Sequence, residues 1–91
     1  MQHQIKLLID FCEPVITGEK KFEVRKNDRG YQKGDEVIFI PCDREGNPTE
    51  HRISKKVYEI TYVLSGWGIE QGFVVFSIED TGKQIIKLER T

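Results

Sequence analysis

Two short runs, Val37-Ile38-Phe39-Ile40 and Phe73-Val74-Val75-Phe76-Ser77-Ile78, are apolar almost without interruption. A strand with one wet face alternates apolar and polar residues, so a run that does not alternate belongs to a strand covered on both faces. Both runs are bounded by turn residues, Gly34-Asp35 and Pro41 for the first, Gly72 and Asp80-Thr81-Gly82 for the second. The first is therefore read as a central strand of this 91-residue chain, and the second as another nearly continuous apolar strand. That length makes one domain, residues 1–91, with a radius of gyration of about 12 Å and roughly 60–65% of its unfolded surface buried. Such a thin core leaves room for a shallow cleft, not a deep enclosed site.

The other segments fill in around these two. His3 to Ile9 reads as a first strand, with Ile5, Leu7 and Ile9 on one parity. Asp10 has the look of an N-cap and Glu13, three residues on, completes a capping-box pattern for a short helix ending at Gly18, with Phe11, Val15 and Ile16 on its buried side and Pro14 keeping it short. Lys21 to Lys26 is a second strand. Glu36 to Ile40 is a central one, stopped by Pro41. Asp43 to Glu50, with Gly46, Asn47 and Pro48, is a hairpin loop. A long strand from Arg52 to Leu64 follows, its length calling for a bend or bulge. Ser65-Gly66-Trp67-Gly68 is a loop, Phe73 to Ile78 a strand, Asp80-Thr81-Gly82 a tight turn, and Gln84 to Leu88 a closing strand. Five or six strands with one short N-terminal helix make a mostly β (α+β), largely antiparallel small barrel. No apolar run approaches the roughly 20 residues of a membrane span and no signal peptide opens the chain, so a cytoplasmic protein with no membrane partner is expected.

Charge is concentrated in one place. Gly18 to Lys33 holds six Lys or Arg against three Asp or Glu, a local +3 within a chain of net charge −1. If Lys21 to Lys26 is extended, Phe22 and Val24 point to one side, read as core, and Lys21, Glu23 and Arg25 to the other. Lys20 stands at the mouth of this strand. A lysine there can hold a phosphate as a point charge, Arg25 can use its planar fork on a phosphate or base edge, and Glu23 can orient Arg25 or accept from an amino group. Lys26 and Arg29 are the natural backbone contacts for a polyanion. Tyr31 and Trp67 are candidate stacking surfaces, while Asn27 and Asp28 suit a local side-chain turn. The overall pI near 6.1 speaks against a broad basic face for duplex binding. Cys12 and Cys42 form no CxxC pair and read as two reduced thiols, and His3 and His51 lack partners at metal-ligand spacing, so neither a metal nor a cofactor is expected.

Gly18-x-Lys20-x-x-Glu23-x-Arg25 resembles the GxKxxExR signature of ASCH domains, relatives of the PUA fold. The run Phe22 to Arg29, the turn Gly34-Asp35 and the segment Gly72 to Glu79 look like a small bacterial and phage branch of that superfamily, known mainly as a domain of unknown function. The resemblance covers His3 to about Glu79. It implies a PUA-like barrel with a helix beside the signature strand and a cleft for RNA or nucleotides. The chain departs from the branch at Pro14, and at Gly30 and Tyr31, where an acidic residue and an aromatic usually follow Asn-Asp-Arg. One enzymatic subgroup resembles GxKxxTxR, with Lys as base and Thr as nucleophile on acylated cytidine. Here Lys20 is retained and Glu23 replaces the threonine. An RNA- or nucleotide-binding module is therefore the first expectation. A small hydrolase, either a nucleoside amidohydrolase or a metal-independent ribonuclease, is the second, with Lys20 as base and Glu23 as the orienting or second acid/base group.

Overall fold

In the computed structural model, which describes residues 1–85, the two apolar runs become inner strands of a single sheet. The order along the chain is β1 (Gln2–Leu8), α1 (Ile9–Thr17), β2 (Phe22–Lys26), β3 (Glu36–Cys42), a 3₁₀ turn (Arg52–Lys55), β4 (Lys56–Leu64) and β5 (Phe73–Gln84). In space the strands run β1-β3-β4-β5-β2, with β1 parallel to β3 and every other neighbour antiparallel. This is a mostly β fold with one helix, and the sheet curls into a half-barrel. Ile5, Leu7, Val37, Phe39, Ile53, Ile60, Phe76 and their neighbours fill its concave side.

Several boundaries differ from expectation, each for a local reason. β1 passes into α1 without a break: Leu8 is the N-cap and no side chain caps the helix. Asp10 instead meets Arg44, and Glu13 reaches across to His51 and Arg52, so the capping box is not made. Asp10 in the first turn still complements the positive end of the helix dipole. Cys12 and Val15 are the buried residues of α1 and Ile16 packs beside them, while Phe11 lies half exposed on the helix flank. Cys12 and Cys42 are free and buried. Burial, followed by the charges of Cys42, Glu13 and Glu23, pushes the Cys12 thiol up to about 11.

β3 runs through Pro41 to Cys42 rather than stopping before the proline. Only Glu36 and Val37 of β3 pair with β4, so the missing N–H of Pro41 falls beyond that ladder, where the returning Asp43–Glu50 loop bonds Pro41 through its carbonyl, the Thr49 N–H donating to it at 2.9 Å. The first four residues of the expected 52–64 strand wind into the 3₁₀ turn. His51 Nδ1 accepts the Ile53 N–H at 3.0 Å, which leaves its Nε2 to donate to Glu13 at 2.9 Å. The bulges expected of β4 are present as register shifts between Lys56 and Tyr58 and between Ile60 and Tyr62. Asp80-Thr81-Gly82 makes no turn: Asp80 Oδ1 accepts the Gly82 N–H and β5 continues to Gln84. Ile86 to Leu88 of the expected closing strand lie outside the described residues.

Gly18 ends α1 in the left-handed region, at φ 82°, with its N–H on Val15 O at 3.1 Å. The Lys20 N–H then returns to Pro14 O at 2.9 Å. This reversal brings Lys20 to the mouth of β2, so the first glycine of the signature is a helix cap. A Cβ at Gly18 would stand 3.5 Å from Lys21 Cε, an ordinary contact, so the cost of a side chain there is conformational. Gly18→Ala should lower folding stability by about 1–2 kcal/mol. A urea denaturation midpoint equal to that of the parent protein would contradict this assignment.

Candidate functional site

A half-barrel leaves two sheet edges facing each other, and here they are β1 and β2. Their seam is bridged by arginine side chains. Arg25 Nη2 donates to Lys6 O at 2.6 Å, and Arg29 Nη1 donates to Gln4 O at 3.2 Å. Gln4 and Lys6 share a parity, so both carbonyls belong to the edge of β1 that is turned away from β3. The arginines thus satisfy a strand edge that would otherwise be bare.

The orientation of β2 is the reverse of the expected one. Glu23 is 2% exposed, while Phe22 and Val24 are 47% and 55% exposed. The cause lies in β5. Its inward residues are Val74, Phe76 and Ile78, and the register sets Glu23 opposite Phe76 and Arg25 opposite Val74. Residues directly opposite in an antiparallel pair share a face, so β5 turns the charged parity of β2 inward.

Glu23 is satisfied by both neighbouring cations. Lys20 Nζ is in contact with its Oε2, and Arg25 donates to Oε1 through Nε at 2.9 Å and Nη2 at 2.7 Å. Lys20 also donates to Phe22 O at 2.7 Å and lies between two phenyl rings, 5.1 Å from the centroid of Phe11 and 5.0 Å from that of Phe22. Arg25 Nη1 has no protein partner among the described residues. The three charged groups sum to +1, and Glu23 acts by holding the two cations in place.

These groups share one concavity. A groove of about 540 Å³ runs along the seam, with Lys20, Glu23 and Arg25 on it, Leu7 and Leu8 on the β1 side, and Phe11, Phe22 and Val24 on its apolar margins. A second groove of about 370 Å³ adjoins it, carrying Lys26, Asp28 and Arg29 and sharing Lys6 and Arg25 with the first. Six of the seven sequence-selected residues, Lys20, Glu23, Arg25, Lys26, Arg29 and Tyr31, therefore line these two grooves.

Of the two aromatics chosen for stacking, Tyr31 backs the second groove with a buried ring and Trp67 lies apart. Tyr31 is core: its ring packs between His3 and Phe76, each with centroids 4.8 Å away. Burial raises its hydroxyl above the ordinary value against the pull of Arg25 and Arg29. Asn27 Oδ1 accepts the Tyr31 N–H and so holds the loop that delivers this ring. Trp67 is 91% exposed at φ 55° in the β4–β5 loop and is not among the residues lining either groove. Phe11 and Phe22 supply the exposed rings instead. Alternation within β2 hides Phe22 and the helical pattern of α1 hides Phe11, and only their positions on either side of Gly18-x-Lys20 could have pointed to them.

A buried polar pair also escaped the sequence reading. His3 Nε2 lies 2.8 Å from Asp35 Oδ2, beside the Tyr31 ring. Burial alone would raise the Asp35 carboxyl, but hydrogen bonds from His3, the Gln32 N–H and the Met1 amino group outweigh it and hold Asp35 below its usual range. This pair ties the start of β1 to the residue that precedes β3. Among the described residues, no helix is long and apolar enough to cross a membrane.

Residues 2–78 match the family described as a domain of unknown function, DUF3850. The chain is also similar to an uncharacterized 12.9 kDa protein encoded in the GpA 3' region of Escherichia phage P2, with 32% identity over 65 residues. That alignment takes in 71% of this chain and 58% of the phage protein's length.

Proposed function

The chain belongs to the DUF3850 family of domains of unknown function, and from the chemistry of its seam groove we propose that it is an ASCH-like, PUA-like module that binds RNA or a nucleotide. One observation carries this reading: Lys20, Glu23 and Arg25 share a single concavity with two half-exposed phenyl rings. A planar base fits against the exposed rims of the Phe11 and Phe22 rings, beside the Lys20 ammonium that stands between them, and an anionic group fits the remaining donors of Arg25. The two free, buried thiols suit a reducing, cytoplasmic setting. A hydrolase would need Lys20 as a base, whereas here its ammonium is engaged as a donor to Glu23 and to Phe22 O. Binding therefore ranks ahead of catalysis.

The test removes the rings rather than the cations, because the cations hold a buried carboxylate. Titration of single-stranded RNA and of nucleotides by fluorescence anisotropy or calorimetry should give a modest affinity that falls as salt rises. Phe11→Ala combined with Phe22→Ala should weaken it about 5- to 150-fold, since stacking of one base contributes about 1–3 kcal/mol. A dissociation constant unmoved by both the ring deletions and added salt would overturn the reading.

A further inference from the structure

The two adjoining grooves differ in character along the seam. The first has the apolar rim formed by Phe11, Phe22 and Val24, with Lys20 and Arg25 compensated by Glu23. The second has no exposed aromatic ring. It carries Lys26 and Arg29 beyond Arg25, with Asp28 as its one carboxylate. The seam is therefore apolar at the Phe22 end and cationic at the Lys26 end, and Arg25 belongs to both parts. The four residue steps from Phe22 to Lys26 span about 13 Å of extended strand. A nucleoside monophosphate carries its single phosphate one sugar away from the base. A ligand of that size, with its base at Phe22, would reach Arg25 and leave Lys26 and Arg29 unmatched.

Resting on the nucleotide-binding reading above, we infer that the ligand of this seam is a base followed by at least two phosphates, with the base against Phe11 and Phe22 and the second phosphate at Lys26 and Arg29. A nucleoside diphosphate and a 5'-phosphorylated dinucleotide share that chemistry. The direction is set by the gradient in the groove: rings at one end, an excess of cations over the single Asp28 carboxylate at the other. Arg25 is the hinge of the arrangement, because Glu23 fixes its Nε and Nη2 and leaves Nη1 for the phosphate nearest the base.

The experiment measures dissociation constants of a nucleoside, its monophosphate, its diphosphate and a 5'-phosphorylated dinucleotide, for the parent protein and for Lys26→Ala with Arg29→Ala. Both substituted residues are exposed. Lys26→Ala alone serves as a second variant that spares the Arg29 contact to Gln4, and thermal melts confirm that both fold. The diphosphate or the dinucleotide should bind about tenfold more tightly than the monophosphate, with a salt slope steeper by about 0.7 for the added phosphate. Lys26→Ala should lose most of that tenfold gain, and the double variant all of it. The dinucleotide arm against the diphosphate arm tells an RNA strand from a free nucleotide. Equal affinities across the phosphate series, with no effect of either variant, would overturn the two-phosphate inference while leaving the base-binding groove standing. Failure of every ligand to bind would overturn both.

Discussion

Removing both cations, as Lys20→Ala with Arg25→Ala, should cost about 3–5 kcal/mol of folding stability, and adding Glu23→Gln should return most of that loss. The reason is the position of Glu23. At 2% exposure its carboxylate has almost no water, and its hydrogen bonds come from Lys20 and Arg25. A buried ion pair contributes little net stability when intact, because desolvation offsets attraction, yet stripping the partners leaves an uncompensated charge. A domain of 91 residues has a total stability of about 5–14 kcal/mol, so the double variant loses about a fifth of it or more. Glutamine keeps the shape and removes the charge, which is why the triple variant should recover. Urea denaturation of the three proteins reads the effect. If the double variant melts like the parent, Glu23 is not confined as described. If the triple variant is no better than the double, the loss came from packing of the two long side chains. The same result bears on function, since a binding loss in Lys20→Ala with Arg25→Ala cannot be separated from unfolding unless Glu23 is neutralised too.

What the sequence made legible was the part of the fold specified by local pattern. The continuous apolar run in β3 announces a strand covered on both faces, and that in β5 announces an inner strand, although its Phe73, Val75 and Ser77 face is only partly covered. Gly18 announces the end of α1, and the length of β4 announces its bulges. The charged cluster at the seam was legible as well, because Lys20, Glu23 and Arg25 sit at fixed short spacings on one strand and its mouth. Tertiary pairing decided the rest. Alternation within β2 marks two faces but does not say which one turns inward, and that choice is made by the register with β5, some fifty residues away. Tyr31, in a polar loop, is drawn into the core by packing against His3 and Phe76, and no neighbour in sequence signals it. Asp10 and Glu13 have the spacing of a capping box, yet Arg44, His51 and Arg52 approach from the β3–β4 connection and claim both carboxylates. In each case a long-range contact outweighs a preference of a few tenths to about 1 kcal/mol.

The inverted face of β2 can be decided by comparing two phenylalanines. Phe76 is fully buried, packs on Tyr31 and stands opposite Glu23 in the β2–β5 register. Phe76→Ala should cost about 3–5 kcal/mol, the lost transfer energy of the ring plus the cavity it leaves. It should also loosen the seam, because Phe76 backs the strand on which Glu23 and Arg25 are held. Phe22 is the same residue type on the partner strand, but it is half exposed on the groove rim. Phe22→Ala should cost no more than about 1 kcal/mol, in the range of a surface substitution that trims a partial contact. If β2 instead presented its apolar parity to the core, as alternation alone implies, the order would change: Phe22→Ala would be as damaging as Phe76→Ala, and Glu23→Ala would be nearly silent. Denaturation midpoints for the three variants separate the two arrangements. Comparable losses for the two phenylalanines, with none for Glu23→Ala, would put the charged face of β2 in solvent and remove the groove on which the binding proposal stands.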